Sequence, residues 1–214
     1  MLNLHALTFD EDGLIPGVVQ TPTGEVRMVG WLTREAVTRT LETGYVTFWS
    51  RSRQELWTKG GTSGNRLRLL EAHADCDADT LLLVAEPEGP TCHRGTPSCF
   101  GEGAFTGVAF LGALERLLMQ RRAQARPEGS YTEKLFAQGT DRIAKKVVEE
   151  AGEVILAAKN LPAGEPGEAR EAFLGEAADL LFHLQMLLAD RGCSLTEVAE
   201  VLRSRHAARK PAEG

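Results

Sequence analysis

The stretch RRAQARPEG, residues 121–129, divides the chain into halves of different character. It is basic, and Pro127 and Gly129 oppose a continuing helix, so it reads as a linker or a fraying helix end. Upstream, β-type runs dominate, at residues 17–20, 26–31, 45–49, 67–72 and 81–85. Pro22, Thr23 and Gly24 between the first two signal a hairpin turn. One helix is predicted over 33–43, with Thr33 as N-cap and Gly44 as stop, and another over 105–122. Downstream, everything reads as helix. Ser130 with Glu133 and Ser194 with Glu197 have capping-box spacing, and Gly139 and Gly192 stand where glycines close helices. Residues 161–167, with two prolines and two glycines, separate two long helices. The expected fold is an α+β N-terminal domain over 1–120, mostly antiparallel β with helices. After the linker at 121–129 comes a small all-α helical-bundle domain over 130–214.

Composition narrows the function. At 214 residues, 43% hydrophobic and 25% charged, the chain is too apolar for disorder. No apolar run approaches the roughly 20 residues that cross a bilayer, and MLNLHALTFDED lacks the layout of a signal peptide. A cytoplasmic protein with no membrane partner is expected. Thirty acidic against 24 basic residues argue against sequence-independent nucleic-acid binding, but a bound metal can still reverse the local field for a small anion. Four cysteines in a reducing compartment point to thiol or metal chemistry rather than disulfides.

The helical half carries a pattern of carboxylates. On an ideal helix over 143–159, Ile143, Val147, Val154 and Ala158 share an apolar stripe. Glu150 falls within its arc and Glu153 at its edge. On the next helix Leu180, Leu184 and Leu187 form the apolar face, with Glu176, Asp179 and His183 along its border. Like charges three residues apart repel, and a carboxylate aimed at apolar neighbours is costly unless neutralised. The pattern therefore predicts a hard cation between the helices, Mg²⁺ shared with a pyrophosphate being the natural one. A solvated acidic face is the competing reading, with Lys145 spaced to reach Glu149 and Lys146 to reach Glu150. His183 reads as a core histidine or as a group orienting Asp179.

The first half holds its own signals. Asp75, Cys76, Asp77, Ala78 and Asp79 alternate; if extended, they put three carboxylates on one face and the thiol on the other. Cys92 and Cys99 bracket a Gly/Pro loop that begins with His93. Three thiolates would leave a tetrahedral zinc one open position, the layout of a catalytic site; three unrelated buried cysteines are the alternative. Cys193 stands apart and reads as packing. Lys59, Gly60, Gly61, Thr62, Ser63, Gly64 and Asn65, preceded by Arg51 and Arg53, can cradle a phosphate or form an ordinary hairpin loop.

Taken together these residues resemble a known pairing. FWSRSRQELWTKGGTSGN, DCDAD and CHRGTPSCF are similar to phosphoribosyl-AMP cyclohydrolase. RPEGSYTEKLFAQGTDRIAKKVVEEAGEV and GEAADLLFHLQMLL are similar to phosphoribosyl-ATP pyrophosphatase, in the order of the bifunctional fusion of histidine biosynthesis. The resemblance implies Zn²⁺ on Cys76, Cys92 and Cys99, with ligands from both subunits of a homodimer, and Mg²⁺ on Asp75, Asp77 and Asp79. It implies His93 as proton carrier, and Arg51, Arg53, Trp57, Lys59, Thr62, Ser63, Gly64 and Asn65 around the nucleotide. In the second half it implies Mg²⁺ on Glu150, Glu153, Glu176 and Asp179, with Glu149 nearby. Glu150 and Glu153 would be catalytic, and Lys145, Lys146 and Lys159 would face the phosphates. The substrates would be phosphoribosyl-ATP and then phosphoribosyl-AMP. Thr21, Gly61, Leu67 and Val148 stand where members commonly carry Asp, Glu, Gln and Gly. Two rivals remain open at this point: a house-cleaning nucleotide pyrophosphohydrolase, and a non-catalytic metal- or nucleotide-binding protein.

Overall fold

A computed structural model describes residues 2–101, 107–161 and 167–207. The chain forms two compact units, Met1–Phe110 and Leu111–Gly214.

The first unit is built on strands β1 (Ile15–Gln20), β2 (Val26–Leu32), β3 (Thr47–Ser50), β4 (Glu55–Thr58), β5 (Leu67–Ala74) and β6 (Leu81–Pro87). They form one sheet in the order β4-β3-β2-β1-β6-β5. All neighbours pair antiparallel except β1 and β6, which run parallel from Gly17 beside Leu81 to Gln20 beside Val84. The first two strands join where Pro22, Thr23 and Gly24 predicted a turn, and Gly24 takes a positive φ of 82° that favours glycine. Alternation along β1 and β6 sends Ile15, Val19, Leu81, Leu83 and Ala85 to one buried face. Helix α1 (Arg34–Thr43) adds Ala36 and Val37 to the same core. Its ends are as expected: the Thr33 side chain accepts from the Ala36 N–H, and Gly44 closes the helix in the left-handed conformation. Strand β4 escaped the sequence reading because Glu55–Thr58 has one exposed and three half-buried residues and little alternation. Gly30 is required by packing, since a Cβ there would lie 2.4 Å from the Phe48 ring.

The second unit contains α2 (Ala109–Ala123) from Leu111 onward, α3 (Tyr131–Gln138), α4 (Thr140–Lys159), α5 (Glu168–Asp190) and α6 (Leu195–Ala207). Its boundary falls earlier than the sequence suggests. Helix α2 runs through the start of the expected linker, and Leu118 is buried with Leu135, Phe136, Ile143, Met186 and Ala189. Basic residues at 121, 122 and 126 look like linker in sequence. In the fold, Arg121 and Arg126 pair with Glu133, and Arg122 with Asp190. The expected start of this helix at Phe105 lies outside the described residues. Both capping boxes form, at Ser130 with Glu133 and at Ser194 with Glu197. Glu115 of α2 also caps α6 by accepting from the Leu195 N–H. Gly192 and Cys193 close α5, their N–H groups donating to the Ala189 and Leu188 carbonyls as in a Schellman motif. Cys193 is thus a half-buried closing residue, in keeping with a packing role.

The apolar stripe of α4 is thinner than its pattern implied. Of the four residues read as core only Ile143 is buried; Val147 and Val154 are half-buried and Ala158 is exposed. Outside that stripe, Val148, Ile155 and Leu156 are 73%, 62% and 61% exposed. Helix α5 is by length and composition apolar enough to cross a membrane, alone among the described helices, which the sequence reading had not allowed. Here it packs along α4 and carries Glu176, Asp179 and His183.

Candidate functional site

In the first unit the functional groups sit mostly on turns and loops at strand ends, with Trp57 within β4. Asp75 to Asp79 connect β5 to β6 as a turn, not as the extended segment the alternation suggested, and Ala78 takes a positive φ of 61°. The turn still gathers Asp75, Asp77 and Asp79, with a carboxylate oxygen from each within 4.8 Å of the others. Asp75 Oδ1 accepts from the N–H groups of Asp79 and Thr80, which tightens the turn. All three carboxylates are exposed.

Cys92 and Cys99 lie close enough to act on one another electrostatically. Hydrogen bonds from the Arg94 backbone and then the Thr96 side chain pull the Cys92 thiol below its ordinary pKa. Burial and then the charge of Cys92 push the Cys99 thiol up. The loop is tied to β2: Cys99 N–H donates to the Arg27 carbonyl at 2.8 Å, and Ser98 Oγ donates to the Val26 carbonyl at 2.8 Å. His93 is exposed, its Nδ1 3.9 Å from Cys92 Sγ. Among the described residues of one chain, Cys76 does not join the other two thiols in a ligand cluster.

The glycine-rich segment forms the turn between β4 and β5. Arg53, Trp57, Lys59, Thr62 and Ser63 line an open depression of about 470 Å³ there. Gly60 has φ 75°, and a Cβ on it would stand 2.2 Å from the Asn65 backbone, so only glycine lets the loop close. Three expected contacts lie off this lining. Arg51 stacks over the Trp31 ring at 4.7 Å, while Gly64 and Asn65 complete the turn beyond it. Of the departures noted above, Gly61 is exposed beside the depression, but Leu67 is 1% exposed in the core. A Gln side chain there would be buried, so Leu67 belongs to packing and not to a substrate contact. Thr21 is buried and donates to Glu25, and Val148 is exposed.

In the second unit the groups sit on facing helices. Glu150 and Glu153 of α4 and Glu176 of α5 bring carboxylate oxygens within 4.8 Å of one another. Glu150 is only 5% exposed, as its place within the apolar arc predicted. Lys146 Nζ stands 2.7 Å from Glu150 and 3.0 Å from Glu149. That cation draws both carboxyls below the usual range. Glu150 and then Glu149 in return raise the Lys146 pKa. Glu153 is pushed the other way, upward, first by Glu150 and then by Glu176. Three crowded carboxylates, one of them resisting ionisation, form a hard-oxygen donor set that fits a divalent cation. Glu149 and Asp179 stand outside this closest group; Lys145 and Lys159 are exposed on α4. A cleft of about 320 Å³ opens beside Glu153 and Glu176, lined by Leu156, Ala157, Asn160, Ala169 and Ala172.

His183 is buried and touches three elements. Its Nδ1 lies 2.9 Å from the Asp179 carbonyl and 3.7 Å from Glu150 Oε1, and its Nε2 lies 3.1 Å from the Tyr131 hydroxyl. It therefore meets Asp179 through the backbone and not through the carboxylate. Tyr131 carries only one signal in the sequence, its place directly after the Ser130 cap.

Two family models match the chain, phosphoribosyl-AMP cyclohydrolase over residues 28–101 and phosphoribosyl-ATP pyrophosphohydrolase over residues 111–206. The chain is 52% identical over 196 residues to the histidine biosynthesis bifunctional protein HisIE of Escherichia coli, covering 91% of this chain and 92% of that protein. The chain belongs to the HisIE family. The HisIE of Photobacterium profundum is 49% identical over 201 residues, covering 91% and 93%, and that of Salmonella typhimurium 48% over 196 residues, covering 91% and 92%. In this HisIE-family chain each match falls on one structural unit. The Asp turn, the thiol loop and the glycine-rich turn lie within the first match, the carboxylate cluster within the second.

Proposed function

We propose that the chain performs two successive hydrolyses in histidine biosynthesis, against the order of its units. The second unit adds water across a phosphoanhydride of phosphoribosyl-ATP, releasing pyrophosphate and leaving phosphoribosyl-AMP. The first unit adds water at C6 of the adenine ring of phosphoribosyl-AMP; the N1–C6 bond breaks, and C6 becomes the carboxamide of an imidazole. The observation that carries this reading is the presence of one crowded acidic cluster in each unit, each inside its own family match.

Glu150, Glu153 and Glu176 are the residues to hold Mg²⁺ in the second unit, with Asp179 and Glu149 beside them; bound there, the ion neutralises the phosphates and acidifies water. Glu153, exposed where it lines the cleft, would take the proton of the attacking water. Lys145 and Lys159 are exposed on the same helix to meet phosphate charge, whereas Lys146 is engaged by Glu149 and Glu150. The cleft beside Glu153 offers Leu156 and Ala157 to the flat base and Asn160 to its edge.

In the first unit Cys92 and Cys99 are the thiols to hold Zn²⁺, with Cys76 from a second copy, and Asp75, Asp77 and Asp79 would hold Mg²⁺; zinc supplies an acidified water and polarises the ring. His93 carries the proton toward the departing N1. Arg53, Lys59, Thr62 and Ser63 bind phosphate along their depression, and Trp57 lines it. The active species in this reading is a homodimer. Two observations support it: the separation of Cys76 from the other thiols within a chain, and the exposed Ile155, Leu174 and Leu181 of α4 and α5.

The test is mass spectrometry of the products from phosphoribosyl-ATP with Mg²⁺ and Zn²⁺ present. A product that has lost pyrophosphate and gained water on an opened ring is expected. Accumulation of phosphoribosyl-AMP by the zinc-loaded protein would overturn the role of the first unit. No turnover would overturn both roles.

A further inference from the structure

We propose that Tyr131 and His183 are positioning residues for the carboxylate cluster of the second unit, setting through one buried imidazole where Glu150 and the Asp179 turn stand. This rests on the reading that Glu150, Glu153 and Glu176 hold a divalent cation.

The hydrogen-bond pattern fixes the ring. A carbonyl oxygen only accepts, so the contact of 2.9 Å to the Asp179 carbonyl requires a proton on Nδ1. In the neutral ring Nε2 then accepts from the Tyr131 hydroxyl at 3.1 Å. Glu150 Oε1 lies 3.7 Å from the same Nδ1, so the donor edge of the ring also faces the carboxylate of α4. Phe182 and Tyr131 meet the imidazole edge to face, with centroids at 5.2 and 6.3 Å, so the ring has little freedom to swing. Tyr131 is itself held: it is the first residue of α3, directly after the Ser130 cap, and Glu133 in that capping box is gripped by Arg121 and Arg126. A chain of contacts thus runs from α2 through α3 to one ligand on α4 and the backbone of α5. Groups that orient metal ligands in this way affect how well the metal binds more than whether the fold survives.

The test uses the full chain and Mn²⁺ as a probe of the cation site, followed by calorimetry and electron paramagnetic resonance. Tyr131→Phe keeps the ring and removes the hydroxyl; it should weaken Mn²⁺ binding about tenfold and move the ¹⁵N resonances of the His183 ring, with circular dichroism unchanged. His183→Asn, whose amide N–H₂ can replace the Nδ1–H donor but leaves the Tyr131 hydroxyl without its Nε2 acceptor, should lose about tenfold, as Tyr131→Phe does, while His183→Leu, which removes both contacts, should lose clearly more. Wild-type Mn²⁺ affinity and unmoved ring nitrogens in Tyr131→Phe would overturn the inference and leave the metal reading intact. Equal losses in the Asn and Leu variants would also overturn it. A wild-type chain that binds no divalent cation in this unit would sink both.

Discussion

The two units solve opposite problems in placing chemistry on a fold. In the first, strands fill the core, with Phe48, Ile15, Leu32, Leu67, Leu81 and Leu83 essentially inaccessible. The reactive groups there stand on turns: the Asp turn after β5, the thiol loop after β6 and the glycine-rich turn after β4. In the second unit the chemistry occupies helix faces that an ordinary bundle would give to its core. Glu150 and His183 are buried beside a small apolar cluster, while Ile155 and Leu156 face outward. A site on turns can be altered with little cost to the fold beneath it. A site inside a helix pair is part of what holds the pair together, so its charges must be balanced for the unit to be stable.

The largest expected effect separates the two sites completely. Cys92→Ala should abolish ring opening from phosphoribosyl-AMP and leave pyrophosphate release intact, and Glu150→Gln should do the reverse; steady-state assays with each substrate supplied separately would show it. Loss of both activities by either folded variant would break the comparison.

Next in size is the response to cation. Mg²⁺ at about a hundredfold its Kd should stabilise the second unit by about 2.7 kcal/mol, read as a rise in its thermal transition. Glu153→Gln, which removes the carboxylate pushed upward by its neighbours, should reduce that rise. An equal rise in both proteins would show that Glu153 is not a ligand.

A third test concerns the α3 cap and pH. Glu133 is held below the ordinary value of 4.5, first by Arg121. Its stabilising contribution is therefore fully present above that value and is lost as pH falls through the depressed folded value. Glu133→Gln should melt lower than wild type at neutral pH and approach it in acid. Ser130→Ala should cost about 1 kcal/mol at every pH. A gap between wild type and Glu133→Gln that is independent of pH would show that charge is not what the box uses.

The smallest effect belongs to a turn. Gly61→Glu adds a side chain at an exposed position where a Cβ would stand 3.2 Å from the Thr58 carbonyl, a tight but workable fit. Stability should change by less than about 0.5 kcal/mol, and only the KM of ring opening should move. A large loss of stability would mean that turns in the first unit are not independent of its core.

Local signals were the ones legible in the sequence. Thr33, Ser130, Ser194, Gly24, Gly44 and Gly192 each act through bonds to residues a few positions away, and each does in the fold what its spacing predicts. Glu150 is buried within the helical arc of Ile143 for the same reason, since helical geometry is local, but how far burial extends along that arc to Val147, Val154 and Ala158 depends on what packs against it. The sequence also carried the order of the two activities and the residue types of both clusters. Tertiary structure decided the rest. Asp75 to Asp79 converge because a turn folds them together, which alternation could not foretell. Leu67 became core because β5 sets it opposite Pro87 of β6, and Arg121 ceased to be linker because Glu133 receives it. The meeting of Tyr131 with His183 spans 52 positions, a separation on which no periodicity bears. Bonds between near neighbours follow from backbone geometry, whereas contacts at a distance depend on how whole elements pack, and that depends on every other residue in the core.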